Sequence, residues 1–181
     1  MKYLCVLIAL SAMSLKVYAE GSEPAVRPLD AWAGESLARA TERSALVRDL
    51  IATLAADQVV VHVETSAVMP DNLGGMTRFV AASHGYRYLR ITLLRGLDPR
   101  DRATMLGHEL QHACEIAESG ASDVDAVRRL FEGLSGKAHG RCVSFETRAA
   151  VMAERRVGME LRARTNTGTR TNTGTRTNTG S

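Results

Sequence analysis

The segment of this sequence that should fold lacks an excess of either charge. The 181 residues carry 23 basic and 20 acidic side chains, a formal charge of +3. Lys2 and Lys16 precede residue 20, and three arginines lie from Arg164 onward, so 20–163 keeps 18 basic against 20 acidic residues. The pI near 9.0 belongs to the ends, and no basic face for nucleic acid follows from it. Long apolar runs are also missing. The longest, in the first 19 residues, spans about 13 residues, short of the ~20 that a membrane-crossing helix needs. Residues 165–181 repeat Thr-Asn-Thr-Gly-Thr-Arg without one apolar side chain. Nothing there offsets the entropy of ordering, and a stacked β-solenoid is excluded. A disordered tail over 164–181 is expected. What is present is enough for one compact domain: 45% apolar and 24% charged residues exclude a wholly disordered chain.

Residues 1–19 have a lysine at the start, then an apolar stretch, then Val17 and Ala19 at the −3 and −1 positions before polar Glu20. This reads as a secretory signal peptide, leaving an exported, periplasmic or secreted domain over 20–163 with no stable membrane span. Cleavage would remove Cys5 and leave Cys114 and Cys142. These are either a disulfide, contributing on the order of 3 kcal/mol, or two buried thiols.

Periodicity predicts an α+β fold. A first helix is expected from Asp30 or Glu35 to Ala56, with Leu37, Ala40, Ser44, Val47, Ile51 and Leu54 at helical spacing. Three strands follow, over 58–64, 76–82 and 86–94, and their short connections predict a mainly antiparallel sheet. Asp98 and Pro99 open a second helix to about residue 118. A short helix over 122–134 and a last helix over 143–162 complete the domain.

The second helix carries His108-Glu109-Leu110-Gln111-His112. At about 100° per residue His112 falls about 40° from His108, so both imidazoles share a face and can reach one Zn²⁺. Ala103, Leu106, Leu110, Ala113, Cys114 and Ala117 occupy the opposite face. The helix is therefore expected to bury that face and present its histidines to a cleft. Glu109 is the candidate general base of such a site.

The run Leu106-Gly-His-Glu-Leu-Gln-His-Ala-Cys-Glu115 resembles the active-site helix of the zincin metallopeptidases. That resemblance implies zinc held by His108, His112 and a third protein ligand, with Glu109 taking a proton from the metal-bound water. The hydroxide then attacks a peptide carbonyl. Metzincins require Gly and His where this chain has Glu115 and Glu118, so the gluzincin branch, with a Glu from a later helix, fits better. Glu146 is the choice. It occupies a slot in the stripe Val143, Ala150, Ala153, Val157, Leu161, where a buried carboxylate needs a strong partner. The Asp expected four residues after it is replaced by Ala150. Glu115 is the rival, better placed to bond a ligating histidine; Glu132 lies off its helix's apolar stripe.

Oxyanion donors could come from His139, Tyr86, Tyr88, His84 or Arg148. By the resemblance, either 76–82 or 86–94 is an edge strand that pairs with substrate backbone. A peptide or protein substrate follows, with no nucleic acid partner. The oligomeric state is not set by these patterns. The alternatives are a non-catalytic envelope protein that keeps zinc as a structural element, and an interaction module that uses its sheet edge.

Overall fold

The computed structural model describes residues 24–70, 73–135 and 146–163. Its elements run β1 (Val26–Pro28), α1 (Ala31–Arg43), α2 (Ala45–Ala56), β2 (Val59–Ser66), β3 (Gly75–Ser83), β4 (Tyr86–Leu94), α3 (Pro99–Ser119), α4 (Val124–Ser135) and α5 (Arg148–Ala163). The class is α+β. The segments expected to be a signal peptide (1–19) and a disordered tail (164–181), together with His139 and Cys142, lie outside the described residues.

The sheet differs from the one expected. It has four strands in the order β1-β2-β4-β3. β1, too short to leave a pattern, pairs parallel with β2; β2 pairs parallel with β4; β3 alone is antiparallel, against β4. The apolar content of the strands explains the order. Val59, Val61 and Val63 of β2 and Leu89, Ile91 and Leu93 of β4 are all buried, which suits central strands. β3 carries Gly75, Thr77, Arg78 and two alanines and takes the edge. The chain therefore leaves β2, skips one position and returns through the β3–β4 hairpin. His84 (φ 52°) and Gly85 (φ 81°) make its two-residue turn, both with the positive φ that matches strand twist.

The first helix is two. Ser44 interrupts it at φ −110°, ψ 120°. Its Oγ accepts from Val47 N, capping α2, and donates to Glu160 at the far end of α5. A position expected to supply packing supplies a cap instead. For the last helix, expected from 143, residues 143–145 lie outside the described residues. Glu146 and Thr147 are not helical, and α5 runs from Arg148 with the Thr147 hydroxyl accepting from Ala150 N as its cap.

Helix α3 forms as expected. Asp98 accepts from Arg100 N, Pro99 takes the first position, and Gly120 (φ 69°) ends it in the left-handed region. Arg87 of β4 donates to the last carbonyls of α3, at Ile116 and Ala117, and to Asp57 at the end of α2. One face of the sheet packs on α1, α2 and α3, and α5 covers α3 from the other side. The approach of α5 is close. A Cβ on Gly107 would fall 2.6 Å from Val157 Cγ2, so glycine sets the separation of the two helices.

Candidate metal centre

Because the sheet and α5 enclose α3, its histidine face is not an open cleft wall. His108 is 4% exposed and His112 6%, and Glu109 and Glu115 are buried beside them. That is a correction to the two-faced helix expected from the helical wheel. α4 contributes to the cover: the ring of Phe131 stands edge-on to His112, with centroids 5.2 Å apart. On this helix both apolar and polar faces are interior, so polar groups on the second face must find partners.

They find them in a definite pattern. His108 Nδ1 lies 3.2 Å from Glu154 Oε2 on α5, and His112 Nδ1 lies 2.8 Å from Glu115 Oε2 one turn along α3. Each carboxylate is placed to accept from its Nδ1–H, and in the neutral ring that tautomer leaves Nε2 as an acceptor. Those Nε2 atoms face each other at 3.1 Å. Two lone pairs at that distance repel unless a proton or a cation lies between them.

Glu109 points toward the edge strand. Its Oε2 accepts from the Thr77 hydroxyl at 2.7 Å, and the same hydroxyl lies 3.1 Å from the Glu109 carbonyl. Strand β3 passes so near that a Cβ on Gly75 would stand 2.7 Å from Glu109 Oε1. Burial pushes the Glu109 carboxyl above its ordinary range, opposed by His112, the Thr77 hydrogen bond and His108; the charge of Glu146 pushes it further up.

Glu146 is brought to the pair, but not as expected. It precedes α5 rather than filling a buried slot on it, and its side chain is 62% exposed. Its Oε1 lies 3.8 Å from His108 Nε2. Among the described residues, no three His, Cys, Asp or Glu side chains stand arranged to hold a metal ion together. Glu115 bonds His112, the part expected for it as the rival to Glu146. Glu154 was missed. It lies two turns beyond Glu146, and only the packing of α5 on α3 turns it toward His108.

Most of the expected oxyanion donors are elsewhere. Tyr88 points to the sheet face away from the helices, between inward Arg87 and Leu89. His84 sits in the β3–β4 turn, bonded to Ser83. Tyr86 pairs with Ser83, six residues or about 20 Å along β3 from Thr77. Among the described candidates, Arg148 is the one next to Glu146 in the chain, opening α5 two residues after it. Of the two possible edge strands, 86–94 is excluded, because β4 is paired on both sides; β3 is the edge. Cys114 is a free buried thiol, 3.6 Å from Leu50 O. Burial, with Glu118, Asp57 and Glu115 nearby, pushes it up to about 12, so it acts as a small apolar side chain.

No known protein family, curated protein or solved structure matches the chain. Among the described residues no helix is long and apolar enough to cross a membrane.

Proposed function

We propose that this chain is a zinc-dependent hydrolase of peptide bonds, exported by its N-terminal segment. In this reading His108, His112 and Glu146 are the metal ligands and Glu109 is the general base. The observation that carries it is the imidazole pair. Nitrogen ligands at ~2.0–2.1 Å from a tetrahedral ion stand about 3.3 Å apart, and the two Nε2 atoms are 3.1 Å apart with both Nδ1 atoms held by carboxylates. Carboxylate–histidine pairs of this kind orient metal ligands and fix their tautomer.

Charge favours a divalent ion over a shared proton. Glu109, Glu115, Glu146 and Glu154 surround the pair, and among the described residues none of them is in an ion pair with Lys or Arg. The donor set therefore fits a cation once Glu146 moves a short way inward. At 62% exposure its side chain is free to change rotamer.

Zn²⁺ held there would polarise a water and lower its pKa toward neutrality. The chain's own residues do the rest. Glu109 takes a proton at its carboxylate and returns it to a leaving amine, while Thr77 fixes the carboxylate's direction from β3. The outer edge of β3 offers main-chain donors and acceptors to an extended peptide, which gives affinity without strong sequence preference. The exposure of Glu146 marks the side from which substrate would reach the pair.

The test is zinc content and peptide hydrolysis of wild type against Glu109→Gln. Retained zinc with activity reduced about 10²–10⁴-fold supports the reading. Unchanged hydrolysis in that variant would remove Glu109 from the chemistry. The enclosure of the histidines favours a second reading, a non-catalytic zinc protein. It predicts bound zinc and no hydrolysis by wild type.

A further inference from the structure

The two histidine–carboxylate pairs are not built alike. Glu154, which serves His108, is 40% exposed on the surface of α5. Glu115, which serves His112, is 9% exposed and has a second partner: the Thr147 hydroxyl donates to its Oε1 at 2.6 Å. That hydroxyl also accepts from Ala150 N at 3.1 Å, closing the first turn of α5. Thr147 is itself buried, and the next residue toward the N-terminus is Glu146.

One hydroxyl thus joins two things that must agree. Through Glu115 it is tied to the orientation of the His112 ring on α3. Through the α5 cap it fixes where the backbone enters α5, and so where the Glu146 side chain starts. We infer that Thr147 is a positioning residue for the metal centre, setting the approach of Glu146 to the imidazole pair while holding Glu115 against His112. This rests on the metal-centre reading above. A hydroxyl is required because the position needs a donor and an acceptor at once; valine keeps the volume and supplies neither.

The experiment measures zinc affinity of the full chain by chelator competition, with Co²⁺ absorption as a second readout, for wild type, Thr147→Val and Thr147→Ser. Ser44→Ala serves as the control. It removes another buried hydroxyl that caps a helix and bonds a carboxylate, at the opposite end of α5. The expected result is a 10–100-fold loss of zinc affinity and an altered Co²⁺ spectrum in Thr147→Val, as for other residues that orient metal ligands. Thr147→Ser should stay within about threefold of wild type. Ser44→Ala should lower Tm while leaving affinity and spectrum unchanged. If Thr147→Val does not fold, Thr147→Ala carries the same expectation with a smaller side chain. Wild-type affinity in a folded Thr147→Val or Thr147→Ala overturns the positioning role and leaves the metal reading standing. Absence of zinc binding by wild type removes both.

Discussion

Helix α3 carries two buried polar centres, and they are built in opposite ways. Arg102, with none of its side chain lost to solvent, is closed. Its Nε donates to Ser36, one Nη donates to the carbonyls of Arg95 and Leu97, and the other reaches Glu35. Its guanidinium lies 4.9 Å from the centroid of the Trp32 ring. Each donor group has a partner, and the charge is balanced at its outer end. The centre at His108 and His112, about two to three turns on, has two ring nitrogens facing each other at 3.1 Å and four carboxylates about it. One centre is complete without a ligand. The other needs a proton or a cation between its two ring nitrogens, and under the proposed function that place is taken by zinc.

That difference can be broken by substitution. The largest effect should come from Arg102→Ala, which leaves the carbonyls of Arg95 and Leu97 and the Ser36 hydroxyl without their donor; a loss of about 3–5 kcal/mol is expected in urea unfolding. Zinc should still stabilise this variant by the same increment as wild type, if it folds. The reverse holds for His108→Ala. Zinc at 100-fold over its Kd should stabilise wild type by about 2.7 kcal/mol, an increment that chelation removes. His108→Ala should show no such increment, and a zinc-dependent Tm in that variant would count against the proposed ligand set. Gly107→Ala presses on the packing of α5 against α3, with its Cβ against Val157. It should cost about 1–3 kcal/mol by overpacking, read as a shift of the urea midpoint.

The smallest effect tests a paired carboxylate remote from the candidate metal centre. Burial pushes Glu160 up, but the Ser44 hydroxyl, Arg156 and the Leu46 amide outweigh it and hold the carboxyl below its ordinary range. A depressed pKa means stability that is present above the unfolded value and lost as pH falls through the folded one. Glu160→Gln should therefore cost less than about 1 kcal/mol at neutral pH. Its difference from wild type should shrink in acid, as followed by Tm from pH 7 downward. A difference that grows on acidification would reverse the assignment.

Much of the architecture was legible because it rests on local chemistry. Asp98, Pro99 and Gly120 mark α3 by capping, and alternating β-branched residues mark β2. The His108–His112 spacing places two imidazoles on one face of any α-helix. The sheet order was not legible. It depends on which strands can be buried on both sides, and short connections between β2, β3 and β4 suggested sequential pairing instead. Nor was the break at Ser44, since its partner Glu160 is 116 residues away. Glu146 was found from a stripe that its backbone does not continue. Its approach to His108 comes from the chain path just before α5.

The sequence alone determined that helix α3 exists, where it begins and ends, and that His108, Glu109 and His112 lie together on it, because helical geometry is set by neighbouring residues. Tertiary structure decided that this face is enclosed, that Glu115 and Glu154 hold the imidazoles, and that Thr77 meets Glu109 across from β3. Those contacts join residues up to 46 positions apart. Their formation depends on how closely α3, α5 and the sheet edge pack, which no local pattern encodes.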